Sequence, residues 1–339
     1  MSKINYDEYL KLARNPDSKD EELLSYSRIV KGTGGFDFKI IPDPDKVELK
    51  LEDLEFENAM QIGNGLSRFR RQVRFHKRKL LGSKLPILVA EGDSWFEFPL
   101  LVREIIDQLE DEYLIWSIGA AGDTARNMVY NHAEYPIALK DRRHDVRGFL
   151  FSAAGNDIIG EDVETQEPVL FNLLKNFNGN NSDVEGHINK DLLEEKMSFL
   201  KGAYTSVINK VRTELGFGKL PIFIHGYDYV IPYPCIGHDP RNPIHAAKNE
   251  WLGEPLDRRN ISDPLLRHNI IKYMIDRLYK MMEEVSGNSE QTGVWLVNCR
   301  GAMPDVTDWI DEIHGTSEGF KKVAARFVEV IKKANLSQT

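Results

Sequence analysis

The sequence predicts an α/β fold, a three-layer α/β/α sandwich around a five-stranded, mostly parallel sheet, with a small N-terminal helical extension. Three observations carry this. From residue 84 onward, short apolar, β-branched runs at 85–90, 113–118, 148–153, 220–225 and 294–298 alternate with helical patterns near 100–110, 124–133, 190–215, 264–285 and 317–334. Connections of that length suit crossovers between parallel strands, which helices then cover. With 339 residues, 41% of them hydrophobic, the chain can also fill a substantial core.

The extension occupies residues 1–82. Tyr6, Tyr9, Leu10 and Leu12 fall near one helical face, Asn15-Pro16-Asp17 interrupts it, and 21–30 resumes a helix. Residues 32–44 read as a linker or hairpin. A long amphipathic helix over 55–80 places Leu66, Phe69, Val73 and Leu80 on its apolar side. Arg68, Arg70, Arg71, Arg74, Lys77, Arg78 and Lys79 make its other face basic. Such a face either balances an acidic body or recruits an anionic partner or membrane surface. The formal net charge of -9 argues against nucleic acid as the main partner.

Residues 83–339 form the predicted α/β unit, with insertions at about 160–189 and 226–262. The second insertion is rich in proline and aromatic residues, among them Tyr227, Tyr229, Tyr233 and Trp251, and reads as pocket wall or lid. Cys235 and Cys299 are too few for a disulfide framework. His225, His238, His245 and His268 lack metal-type spacing, so no metal site is expected. The first residues lack the apolar run of a secretory signal, and no stretch is apolar enough to span a bilayer. The expected location is therefore cytoplasmic.

Chemistry-bearing residues cluster just past the predicted strands. Gly92-Asp93-Ser94 follows the first, Ala121-Gly122-Asp123-Thr124 the second, Gly155-Asn156-Asp157 the third, and Asp311-Glu312-Ile313-His314 the fifth. Parallel strands bring such ends to one rim. A serine hydroxyl becomes a competent nucleophile when an imidazole takes its proton and a carboxylate orients that imidazole. Ser94, His314 and Asp311 supply these types. The backbone N–H groups of Ser94 and Gly122 and the Asn156 amide are candidate donors to an oxyanion. Gly119 rivals Gly122 for that role, and Asp308, then Asp305, are fallback carboxylates. Phe96 stands where a nucleophile elbow needs glycine, which excludes that arrangement.

These four blocks, in this order over residues 92–314, resemble the SGNH hydrolases, or GDSL-type esterases and lipases. The resemblance implies a flavodoxin-like sheet, no cofactor, and ester hydrolysis through an acyl-enzyme. It assigns Ser94 as nucleophile, His314 as base, Asp311 as its orienting acid, and Gly122 with Asn156 to the oxyanion hole. Trp95 replaces the family's usual leucine, and Ser117 stands where many members carry asparagine. Trp95, Phe96, Asp157, Tyr227, Tyr229 and Trp251 are candidate substrate contacts. Three readings stay open: a lipid or other acyl esterase, a carbohydrate O-acetylesterase, and a non-catalytic module recruited through the basic helix.

Overall fold

The computed structural model describes residues 3–15, 17–31, 38–48, 59–98, 102–162, 167–241 and 251–336. The N-terminal part comprises β1 (Ile4–Asn5), α1 (Tyr6–Arg14), α2 (Asp20–Ser25), β2 (Ser27–Lys31), β3 (Phe38–Pro42), β4 (Val47–Glu48) and α3 (Ala59–Leu80). Then follow β5 (Ile87–Gly92), α4 (Ile105–Leu109), β6 (Leu114–Ser117), α5 (Tyr135–Asp141), β7 (Val146–Ser152), α6 (Gly155–Ile159), α7 (Val169–Leu173) and α8 (Lys190–Asn209). The chain continues through β8 (Ile222–His225), α9 (Gly253–Arg258), α10 (Pro264–Ser286), α11 (Ser289–Thr292), β9 (Val294–Val297) and α12 (Ser317–Lys333).

The main sheet has the order β6-β5-β7-β8-β9, with every neighbouring pair parallel. All six β5 residues are buried, Glu91 among them, and the apolar run at 87–90 is that of a central strand covered on both faces. Helices flank the sheet, α4 packing on α12 and α8 on α10. The order turns back on itself at β5, so the crevice beyond the carboxyl ends of β5 and β7 is where a doubly wound sheet holds ligands. Ser94 lies two residues past β5.

The N-terminal part departs from a purely helical extension. Residues 27–30, expected as helix, belong to β2, which pairs antiparallel with β3, Ser27 opposite Pro42 and Lys31 opposite Phe38. Residues 32–37 of the expected hairpin lie outside the described residues, as do 55–58 of the long helix, 99–101 at the start of the expected 100–110 helix, and Pro243 and His245. The 124–133 helix is shorter, spanning 125–131 and winding as a π-helix over Asn127–Asn131.

The long helix is turned the other way from its expected apolar stripe. Phe69 and Leu80 are exposed, whereas Arg70 and Arg71 are buried. Arg70 donates to the Ser18 carbonyl, and Arg71 sits on an acidic cluster. Arg71 donates to Glu97 at 2.6 Å and to Glu104, and lies 3.2 Å from Asp107. Burial works against the guanidinium's charge, but Asp107, Glu104 and Glu97 outweigh it and hold its pKa well above the ordinary value. Arg74 meets Asp107 and Glu110, Arg68 meets Glu134, Lys77 meets Asp17, and Lys79 meets Asp145. Arg78 donates to the Glu110 carbonyl. Five of the seven basic side chains thus pair with the protein's own acids, and Arg70 and Arg78 with backbone carbonyls, as the first of the two readings of this face expects. Phe75 also packs with Ile87 and Leu114 and lies edge-on to Trp116. By these contacts α3 joins the sheet body, across the expected boundary at residue 82.

Candidate active site

The turn carrying Ser94 is built by Asp93. Its carbonyl accepts the N–H groups of Phe96 and Glu97, both at 2.9 Å, and its Oδ1 accepts the Trp95 N–H at 3.1 Å. A Cβ on Gly92 would stand 2.7 Å from that of Ser152, so only glycine lets β5 and β7 approach there. Trp95 Nε1 donates to the Ile313 carbonyl at 3.0 Å, tying this turn to a segment 218 residues later.

That segment presents His314. Asp311 Oδ1 accepts the backbone N–H groups of Ile313 at 2.8 Å and His314 at 2.6 Å, folding the Asp-x-x-His block onto itself. Asp311 Oδ2 lies 2.7 Å from His314 Nδ1, and His314 Nε2 lies 2.8 Å from Ser94 Oγ. A carboxylate accepts only, so Nδ1 carries the proton and Nε2 turns its lone pair to the serine hydroxyl. The imidazole is fully buried, with Phe98 tilted over it at 4.1 Å between centroids and Trp251 edge-on at 5.6 Å.

The second and third blocks also meet. Asn156 Nδ2 donates to the Asp123 carbonyl at 2.6 Å, which fixes the amide's orientation and leaves its second N–H for another acceptor. Gly122 takes φ +84°, a conformation glycine reaches without strain. Just before α6, Ala154 stands at φ 108°, where a side chain is strained by about 1–3 kcal/mol. Two tyrosines hold it there. Tyr204 Oη accepts the Ala153 N–H and donates to its carbonyl, and Tyr227 Oη accepts the Gly155 N–H at 2.7 Å.

No protein-family model and no curated protein matches this chain. Fourteen solved chains do. One, from Streptococcus pneumonia and provisionally assigned as a platelet activating factor, is 12% identical with a TM-score of 0.43, covering 83% of this chain and 98% of its own. A protein of Slackia heliotrinireducens, provisionally assigned as an SGNH hydrolase, is 10% identical with a TM-score of 0.42, covering 73% and 100%. An extracellular lipase from Streptomyces rimosus is 9% identical with a TM-score of 0.41, covering 72% and 99%. The likeness is one of fold.

Behind Ser94 lies a second hydrogen-bonded Ser-His-Asp set. Ser152 Oγ is 3.0 Å from Asp93 Oδ1 and 2.8 Å from His225 Nε2, and His225 Nδ1 is 2.9 Å from the Gly226 carbonyl. The hydroxyl here lies between imidazole and carboxylate, the reverse of a nucleophile–base–acid line. Since Nδ1 faces a carbonyl, it must carry a proton. If Ser152 donates to Asp93, Nε2 must be protonated too. If Ser152 donates to His225, Asp93 must hold the proton. Either way the set keeps one proton more than a carboxylate plus a neutral imidazole. Burial accordingly pushes Asp93 up to about 6, against the pull of Tyr227, Trp95 and Ser152 hydrogen bonds. Burial also pushes His225 down to about 4, which favours the proton on Asp93. Tyr227 Oη donates to Asp93 Oδ2 and completes the set.

The expected substrate contacts divide. Trp95 and Tyr227 line a cavity beginning at Ser94. Phe96, Asp157, Tyr229 and Trp251 do not line it. Phe96 is core, stacked on His225 at 5.2 Å. Asp157 Oδ2 accepts the Ala125 N–H at 2.8 Å, and Tyr229 donates to Asp276 at 2.8 Å. Trp251 supports His314 instead. The rivals also lie elsewhere: the Gly119 carbonyl accepts from Arg68, Asp308 binds Lys322 at 2.6 Å, and Asp305 caps the turn Val306–Asp308.

Sequence reasoning missed Phe98, Tyr204 and Glu312. Fully buried Glu312 accepts four backbone N–H groups: Oε1 those of Tyr233 at 2.6 Å and Gly253 at 2.9 Å, Oε2 those of Trp251 at 3.0 Å and Leu252 at 2.9 Å. Arg241, from the same insertion, donates to the Asp311 carbonyl at 2.9 Å. The aromatic insertion is therefore bolted to the Asp311–His314 loop on both sides. Its signal in the sequence was faint, a carboxylate inside the Asp-x-x-His block itself.

Proposed function

We propose that this chain is a serine hydrolase of carboxylic esters. The observation that carries it is the line Asp311–His314–Ser94, closed at 2.7 and 2.8 Å on a serine that opens into a cavity. Ser94 Oγ attacks the ester carbonyl while His314 Nε2 takes its proton, and Asp311 stabilises the imidazolium that forms. Charge then develops on the carbonyl oxygen. The Ser94 and Gly122 backbone N–H groups and the second N–H of Asn156 are the donors assigned to it. His314 returns the proton to the leaving alcohol, leaving an acyl-enzyme at Ser94, and then activates water for the second half-reaction.

Labelling with a fluorophosphonate probe tests the assignment. The expected result is one covalent adduct on Ser94 in the native protein and none in Ser94→Ala. Equal labelling of the two would end the nucleophile assignment.

A further inference from the structure

Resting on that reading, the cavity identifies which ester side is bound. It begins at Ser94, is open at its mouth, and is lined by residues of α6, α7, α8 and α10. Its polar side chains, Asp93, Ser94, Asn156 and Tyr227, all belong to the nucleophile turn and the groups around it. All four already have partners within the protein: Asp93 and Tyr227 bind each other, Asn156 binds the Asp123 carbonyl, and Ser94 lies against His314 Nε2.

Apart from the Trp95 ring, the rest of the lining is aliphatic or thioether. Ile271, Met274, Ile275 and Leu278 follow one another along α10 at intervals of three, one and three, so a single helix face forms one wall. Met197 of α8 and Leu170 of α7 contribute to the same lining. A sugar ring placed there would lose water from its hydroxyls and find no partner for them along these walls, at a cost for each group. A methylene chain loses nothing and gains apolar burial. Methionine's flexible thioether adapts to such a chain.

We infer that this cavity is an acyl-chain site, and that the preferred substrates are esters of aliphatic acids with the acyl group extended between α6, α7, α8 and α10. The alcohol side leaves toward the open mouth. Acetyl esters of carbohydrates would leave the cavity empty.

Two measurements test this. On p-nitrophenyl esters, kcat/KM should rise about four-fold for each added methylene from acetate through octanoate, mainly through a falling KM. Met274→Phe, which fills the cavity, should lower the octanoate-to-acetate ratio at least ten-fold. Leu278→Ala, which lengthens it, should move the optimum to a longer chain and covers the case in which the first variant does not fold. Independently of turnover, octanoate but not acetate should raise the melting temperature of Ser94→Ala. A flat chain-length profile in a protein whose Ser94 still reacts with a small fluorophosphonate overturns the acyl site and leaves the hydrolase reading standing. Loss of Ser94 labelling with octanoate still stabilising the protein overturns the hydrolase reading and keeps the apolar ligand site. An absence of octanoate stabilisation removes the site.

Discussion

Replacing Glu312 by glutamine exchanges one oxygen for an NH2 group and breaks the clamp between the aromatic insertion and the Asp311–His314 loop. The carboxylate accepts two N–H groups on each oxygen, those of Tyr233 and Gly253 on one and those of Trp251 and Leu252 on the other. Whichever oxygen becomes an NH2 group, two buried donors then face a donor. Hydrogen bonds to a charged group contribute about 1.5–3 kcal/mol each, so losing two costs about 3–6 kcal/mol, a large part of a typical domain's 5–15 kcal/mol. Relaxation of the insertion toward solvent moves the value to the lower end. Function should suffer with it, because the Trp251 ring beside His314 is held by one of these bonds. The expected outcome for Glu312→Gln is a fall in the urea midpoint of that size at unchanged m-value, with slower fluorophosphonate labelling of Ser94. A variant with native midpoint and native labelling rate would refute the clamp.

Three further outcomes are expected. Asp311→Asn should leave the fold intact and lower kcat on a p-nitrophenyl ester by about 10⁴-fold, since an amide no longer enforces the imidazole tautomer; a ten-fold loss would point to another carboxylate. Arg71→Met should destabilise by about 3–5 kcal/mol in urea unfolding, because Glu97 and Glu104 are left buried without their cation. Unchanged stability would mean those acids are neutral. Asp93 holds its proton up to about pH 6 when folded, against an ordinary 3.8. The folded form therefore binds more protons than the unfolded between those values, and stability falls as pH rises through them. The gap from 3.8 to about 6 corresponds to about 3 kcal/mol. The native-minus-Asp93→Asn difference in unfolding free energy should shrink by that amount from pH 3.5 to pH 7, and a pH-independent difference would contradict the retained proton.

Much of this architecture was legible in the sequence because its signals are local. A strand buried on both faces reads as a near-continuous apolar run, and β5 announces itself by the run at 85–90 without knowledge of its neighbours. The four short blocks are equally local, each needing a particular turn just past a strand. Their strand–helix alternation also limits the sheet to a few topologies, all of which bring strand ends to one rim. On that basis one histidine out of nine and one aspartate were named with Ser94.

What the tertiary structure alone decided are the matters that depend on a partner distant in the chain. Charge and apolarity could not tell which face of α3 turns inward, because the answer lies in Glu97, Glu104 and Asp107, acids that a local pattern scores as surface. Nor could α10's stripe be told from ordinary core, since a wall around a cavity and a wall around other side chains use the same residues at the same spacing. The proton kept by Asp93, Ser152 and His225 is likewise a property of three strand ends in register. Sequence periodicity records which side of an element avoids water; only the packed chain records what stands opposite.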